Sequence, residues 1–363
     1  MLLYICITLW LLILLLIGLY QAPATFLEYN LRNLLNTSAS RHRFTRMLCL
    51  LTFLFFWFLT AFRAENIGND TVVYLNYFDI FSQGIDRTRT FELGYQYLNY
   101  FLSKLTTSHH VFLICIATIM YGGTVRYIFK YSKSIPVSLC LFFCYFFSLY
   151  NSMFRQGIAM VIALYGYQAL KDGKKTIAAL LFSLAVTFHT TAIVCFLLFF
   201  KPKMFKKQWV VLMITIISII LSGSGLLEKI VSLVAPRYMH YFESRYAASG
   251  WLAVSFTVIS YIAWYYLISK ALGEKPEDKL VAMNFTLMLI IAAFGFAVNL
   301  FTRAGEYFLL IAIVEIPNTL TNARVKHYKW WLLGLCILQL VMFILTLVFR
   351  PGWNHLYPYE FWR

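Results

Sequence analysis

The chain is 363 residues long, 61% hydrophobic and only 13% charged, with 31 Lys and Arg against 15 Asp and Glu. That composition excludes an ordinary soluble globular protein and marks an integral membrane protein. A formal net charge of +16 would suggest nucleic acid as partner of a soluble chain, but here the basic residues sit in short clusters between apolar runs, as membrane topology requires. No nucleic-acid partner is implied.

A spanning helix takes about 20 mostly apolar residues, and such runs fall near 2–19, 47–62, 110–128, 136–151, 156–170, 176–200, 209–225, 251–270, 281–301, 304–320 and 330–349. The first run lacks a basic flank and a small-residue cleavage site, so a retained helix is expected rather than a signal peptide. Loop 20–46 carries Arg32, Arg41, Arg43 and Arg46 and should stay cytoplasmic, with the N-terminus outside. Alternation then puts 63–109 outside, Arg126, Lys130 and Lys133 inside, 151–155 outside, and Lys171, Lys174 and Lys175 inside.

One helix over 176–200 would carry Lys201, Lys203, Lys206 and Lys207 outside, together with the later clusters at Lys270–Lys279 and Arg324–Lys329. A hairpin of two short legs with His189 at its tip, both legs rooted on the cytoplasmic side, restores every basic cluster to the inside. Each leg of about 12 residues covers only ~18 Å, so the tip must be shielded by protein or line a wet cavity. A single tilted helix is the alternative.

Two outer segments should carry helices lying in the interface. In 63–109, Asp70 reads as an N-cap ahead of Val72, Val73, Tyr74, Tyr77 and Phe78, and Glu92 opens a second stretch with Tyr95, Leu98, Phe101 and Leu102 on one face. In 226–250, the run Leu226 to Val234 is broken by Pro236 and followed by Tyr238, Tyr241, Phe242 and Tyr246. The expected fold is therefore all-α and polytopic: one domain over 1–363, with about 11–12 transmembrane or part-spanning helices and no internal repeat. The seven cysteines all lie in apolar runs and read as small buried hydrophobes; only Cys140 and Cys144 stand one turn apart. Neither a metal nor another cofactor is expected.

This topology gathers Arg63, Asp70, Glu92, Asn99, Asn151, Arg155, Gln156, His189, Arg303, Glu306 and Tyr307 on the outer side. Arginines at outer helix ends run against the positive-inside bias, and a guanidinium binds phosphate through paired hydrogen bonds that lysine cannot reproduce. A pyrophosphate at the membrane surface is a fitting ligand. Plainer readings stand beside this one. Arg155 can snorkel to headgroups, His189 can satisfy backbone at a tight turn, and Asp70 and Glu92 can cap their helices. Arg303 and Glu306 can form an intrahelical ion pair. Gly94 before Tyr95 suits the close approach of a ligand.

Five pieces in order resemble the EpsG-like branch of the Wzy O-antigen and exopolysaccharide polymerases. Arg63, Gly68, Asp70 and Tyr74 fit an R-x-x-x-x-G-x-D-x-x-x-Y pattern, and Glu92, Gly94, Tyr95 and Asn99 follow. Then come Arg155-Gln156-Gly157, Phe188-His189-Thr190-Thr191, and Arg303 with Glu306, Tyr307 and Phe308. Together they cover about residues 60 to 310. Asn69 stands where the pattern has a hydroxyl residue and Thr190 where it often has lysine or serine; neither changes a charged group.

The resemblance implies a glycosyltransferase of the bacterial cytoplasmic membrane, acting in O-antigen, capsule or exopolysaccharide synthesis. It would move a growing glycan from undecaprenyl pyrophosphate to the non-reducing end of a lipid-linked oligosaccharide repeat. Its substrates would be undecaprenyl-pyrophosphate-linked oligosaccharides, with a chain-length regulator as a potential protein partner. Arg155 and Arg303, with Arg63 in support, would hold the pyrophosphate, and Glu92 first, then His189 or Asp70, would serve as base. Gln156, Asn151, Tyr74, Tyr95, Glu306 and Tyr307 would support them. A lipid-sugar flippase and a membrane acyltransferase using His189 are the competing readings.

Overall fold

The computed structural model describes residues 1–21, 39–83, 91–200, 208–234, 239, 251–273, 275–321 and 327–362. Arg32, Lys201–Lys207, the aromatic residues of 238–246, Arg324 and Lys326 lie outside the described residues. Within them the chain is all-helical apart from one isolated bridge. In chain order the helices are α1 (Leu2–Gln21), α2 (Ala39–Ala61), α3 (Thr71–Ser82), α4 (Leu93–Ser103), α5 (His109–Tyr131), α6 (Ile135–Ser152), α7 (Phe154–Lys171) and α8 (Lys175–Phe188). A 3-10 segment, Thr190–Phe199, follows. Then come α9 (Gln208–Gly223), α10 (Leu226–Val234), α11 (Trp251–Ala271), α12 (Pro276–Phe294), α13 (Asn299–Leu320) and α14 (Tyr328–Phe349).

This is a multi-pass membrane protein. Among the described residues, 2–21, 42–61, 109–131, 135–152 and 328–349 are each long and apolar enough to cross a bilayer. Their outward faces carry Leu9, Ile13, Leu54, Phe58, Trp331 and Leu345, side chains that acyl chains solvate. The protein interior is packed with aromatic rings such as Phe56, Phe143 and Phe147, stacked between α2 and α6.

The two legs around His189 fold back on each other. Phe182 on α8 lies 5.7 Å from Phe196 and 5.9 Å from Phe199, ring centre to ring centre. A continuous helix would separate residues 182 and 199 by roughly 25 Å at 1.5 Å per residue, so only a hairpin brings these rings together. The turn is made at His189, whose extended backbone ends α8 and begins the 3-10 segment. The legs reach about 20 Å each, less than the ~30 Å hydrocarbon thickness.

Hydrogen bonds sort the remaining ends into two sets. At one end, Tyr4 donates to the Leu356 carbonyl at 2.6 Å and the Asn69 amide to Ser152 Oγ at 3.2 Å. At the other, Arg46 donates to the Phe129 carbonyl, the Lys133 amide to Asn318, and Lys171 pairs with Glu315 at 2.6 Å. The basic clusters at Arg46, Lys130–Lys133 and Lys171–Lys175 therefore share one end, while the start of α1 and the end of α14 share the other. One boundary departs from the sequence reading. The break expected near 302–303 falls at 295–298, so Arg303 and Glu306 lie inside α13. Helix α10 bends 76° away from α9, the geometry of an interfacial segment.

Candidate functional site

The site forms where the hairpin tip meets the N-terminal ends of α4, α7 and α13. Gly94 makes that meeting tight: a Cβ there would collide with the side-chain oxygen and backbone of Thr187. The close approach that Gly94 permits is thus to the hairpin, not to a ligand. Helix α4 opens at Glu92, and the hairpin turns two residues beyond Thr187. Their polar groups consequently face one another.

Glu92 is the hub. Its Oε2 accepts from Arg155 Nη1 at 2.5 Å, and its Oε1 accepts from both the backbone N–H and the hydroxyl of Thr190, each at 3.0 Å. His189 brings Nδ1 to 3.3 Å of the same Oε1, a long contact, and leaves Nε2 buried without a partner. Burial by itself would raise the Glu92 carboxyl, but the His189 contact, the Arg155 charge and the Thr190 amide outweigh it. They hold Glu92 well below the usual carboxylate range. Arg155 lies over the Phe91 ring at 4.1 Å and near Tyr74 at 6.0 Å, and its Nε is buried with no partner.

Asp70 sits at the N-cap position of α3, as the sequence suggests, yet its carboxylate makes no capping bond; Glu92 makes none on α4 either. The plain reading of both acids as caps therefore fails. Asp70 lies within the fields of Arg303 and Arg155. Burial raises its carboxyl above the ordinary aspartate value, against the lowering pull of those two cations. The backbone before it is fixed by Gly68, at φ +88°, where a side chain would strike the Asn151 carbonyl.

Gln156 bridges α7 to α13, donating to the Arg303 carbonyl at 2.8 Å and to Glu306 Oε2 at 2.6 Å. Glu306 is thus engaged by an amide, and Arg303 has no carboxylate partner among the described residues. Tyr307 receives a long hydrogen bond from Thr191 at 3.4 Å, while Tyr74 stacks on Phe154 at 4.6 Å. The Tyr95 hydroxyl and the Asn151 and Gln156 side-chain oxygens are buried and unpartnered. Asn151 spends its amide on its own helix, donating to the Phe147 carbonyl at 2.7 Å.

Arg63 does not join this group. Only 1% exposed, it donates to the Thr60 and Ile67 carbonyls and lies 5.0 Å from the Phe154 ring centre. Its charge braces the turn that leads to Asp70. Sequence reasoning also discounted Thr190 and Asn69 because they carry no charge. Thr190 supplies two of the bonds on Glu92, and Asn69 donates to the Trp353 carbonyl, so both departures bear on the site. No sequence signal announced a role for segment 351–362 or for His109, which bridges Glu65 and Asp79 at 2.9 Å each. Among the described residues, no group of three His, Cys, Asp or Glu is placed to hold a metal ion.

The model of the EpsG family matches residues 46–361. The chain belongs to the EpsG family. The match begins within α2 and runs to the end of the 351–362 segment, so it takes in the whole polar cluster. No curated protein and no solved structure matches the chain. EpsG membership points to a polysaccharide polymerase type of glycosyltransferase.

Proposed function

We propose that this EpsG-family protein polymerises lipid-linked oligosaccharide repeats at the outer face of the bacterial cytoplasmic membrane. A growing glycan leaves undecaprenyl pyrophosphate and joins the non-reducing end of the next repeat. The positive-inside rule supports this orientation, because the basic ends of the helices lie opposite the polar cluster.

One observation carries the reading. Arg303, without a carboxylate partner among the described residues, acts on Asp70 and His189 together with Arg155, whose Nε is buried and unsatisfied. Two guanidinium groups with unspent hydrogen-bonding capacity suit a pyrophosphate leaving group, which gains a further negative charge as its bond to the sugar breaks. In the transfer, the acceptor hydroxyl oxygen bonds to the anomeric carbon as the bond from that carbon to the pyrophosphate oxygen breaks. The leaving oxygen keeps the electron pair, and Arg303 and Arg155 stabilise the charge that develops on it.

The proton of the acceptor hydroxyl needs a base. Glu92 was the first expectation, yet a carboxylate that accepts from Arg155 and twice from Thr190 is a weak base, and its better-supported role is to orient Arg155. Asp70, uncapped and raised, suits the task better, with His189 Nε2 close behind. Arg63 acts through the turn it braces.

Purified protein given a synthetic undecaprenyl-pyrophosphate repeat should yield a ladder of longer glycans and release undecaprenyl pyrophosphate. Transport of the lipid-linked sugar across vesicles without lengthening would instead establish a flippase.

A further inference from the structure

The turn that delivers Asp70, residues 62–69, is held on its outer side by the 351–362 segment. Three backbone hydrogen bonds join them: the Ala64 amide donates to the Glu360 carbonyl at 2.9 Å, the Trp362 amide to Phe62 at 2.9 Å and the Gly68 amide to His355 at 3.2 Å. Arg63 and Phe361 complete an antiparallel bridge. Side chains add to the grip. Asn66 donates to Glu360 Oε2 at 3.1 Å, Asn69 donates to the Trp353 carbonyl, and Tyr359 donates to the Leu59 carbonyl. Trp362 stacks on His110 at 5.1 Å with the rings 13° apart.

The segment is itself anchored. Leu356 is fully buried, and its carbonyl accepts from Tyr4 on α1 at 2.6 Å. Residues 62–69 form no helix of their own, so their amides depend on partners from elsewhere. The 351–362 segment supplies acceptors to two of them, Ala64 and Gly68, and donates to the Phe62 carbonyl. On the opposite side the same turn meets the site, through the Asn69 amide on Ser152 and Gly68 against Asn151.

We propose that segment 351–362 is a positioning strap for the catalytic turn, setting where the Asp70 carboxylate stands relative to Arg303 and Arg155. The inference rests on the assignment of Asp70 to the acceptor proton. A strap of this kind acts on turnover, because Asp70 meets the acceptor hydroxyl. It leaves donor binding alone, because Arg155 and Arg303 sit on α7 and α13, whereas the strap's hydrogen bonds go to residues 59–69 and to Tyr4.

Trp362→Ala and, as a second variant that keeps the ring stack, Asn69→Ala test it in the full-length protein. Hydrogen exchange at the Ala64 and Gly68 amides should quicken in both. Turnover in the polymerisation assay should fall about tenfold, while binding of undecaprenyl pyrophosphate changes less than twofold. Trp362→Phe, which retains a stacking ring, should restore turnover. Quicker exchange with unchanged turnover would overturn the proposal. So would a parallel loss of turnover, undecaprenyl pyrophosphate binding and melting temperature, which would make the segment general scaffolding. Asp70→Asn separates the two readings: full turnover in that variant defeats the base assignment, whereas the exchange data alone report the strap's hold on the turn.

Discussion

Helices α7 and α13 carry charge at both ends, and the two ends are built differently. At the basic end Lys171 of α7 meets Glu315 of α13 at 2.6 Å, one cation to one anion, with the Glu315 side chain only 3% exposed. At the other end Arg155 and Gln156 of α7 face Arg303 and Glu306 of α13, with Glu92, Asp70 and His189 arriving from three further segments. The first arrangement is closed. The second leaves Arg155 Nε, Gln156 Oε1 and His189 Nε2 buried without partners. A buried polar atom left unsatisfied costs about 1–3 kcal/mol, a cost that the proposed pyrophosphate substrate would offset on binding. The closed pair fixes the positions of α7 and α13, and the open cluster is where the proposal puts the substrate.

The comparison breaks most sharply at the arginines. Arg303→Ala should lower polymerisation on the order of 1000-fold, as for a lost oxyanion donor. Arg303→Lys and Arg155→Lys should still lose most activity, since charge remains but the paired hydrogen bonds do not. Near-full activity in both lysine variants, measured by glycan laddering, would remove the pyrophosphate assignment.

A smaller effect separates the acids. Asp70→Asn should cost about 100-fold in turnover, within the usual range for a general base, while Glu92→Gln should cost nearer tenfold through a misplaced Arg155. The pH profile sharpens the distinction. A base must be ionised, so activity falls as pH drops through its folded pKa. Because Asp70 is raised, the acidic limb should lie above the ordinary aspartate value and vanish in Asp70→Asn. Glu92 is depressed and gives no limb there; its stabilising contribution is present above the unfolded glutamate value and lost only at lower pH. A limb that persists in Asp70→Asn would move the base role to His189.

At the closed end the effect on turnover should be least. Lys171→Met leaves Glu315 buried and unpaired and should destabilise the protein by about 3–5 kcal/mol, with most of that regained by adding Glu315→Leu. Turnover per folded molecule should stay within twofold. A specific loss of turnover in the stabilised double variant would show that the basic end contributes to the chemistry, and the contrast between the two ends would collapse.

Much of the site was legible because membrane chains seldom place ionisable residues among apolar ones without reason. Arg155, Glu92 and His189 stand out on that ground alone, and the structure unites them. Thr190 could not be read, because a threonine beside a turn is common and its value comes only from the carboxylate that α4 brings to it. Arg63 misled for the opposite reason. Its charge marked it as a ligand contact, but two of its donors go to backbone carbonyls of its own turn, with Nη2 left buried and unpartnered.

The hydrophobic periodicity and the basic clusters by themselves determined the membrane class and the helical content, and they favoured the hairpin at His189 over a single tilted helix. These follow from local composition and from the cost of unsatisfied backbone in lipid, which any stretch of sequence carries with it. Tertiary structure decided how the polar residues share their hydrogen bonds: Glu92 spent on Arg155 and Thr190, Asp70 left uncapped, and segment 351–362 laid across residues 62–69. Hydrogen-bond partners far apart in the chain leave no periodic mark on the sequence, so only the packed helices could assign them.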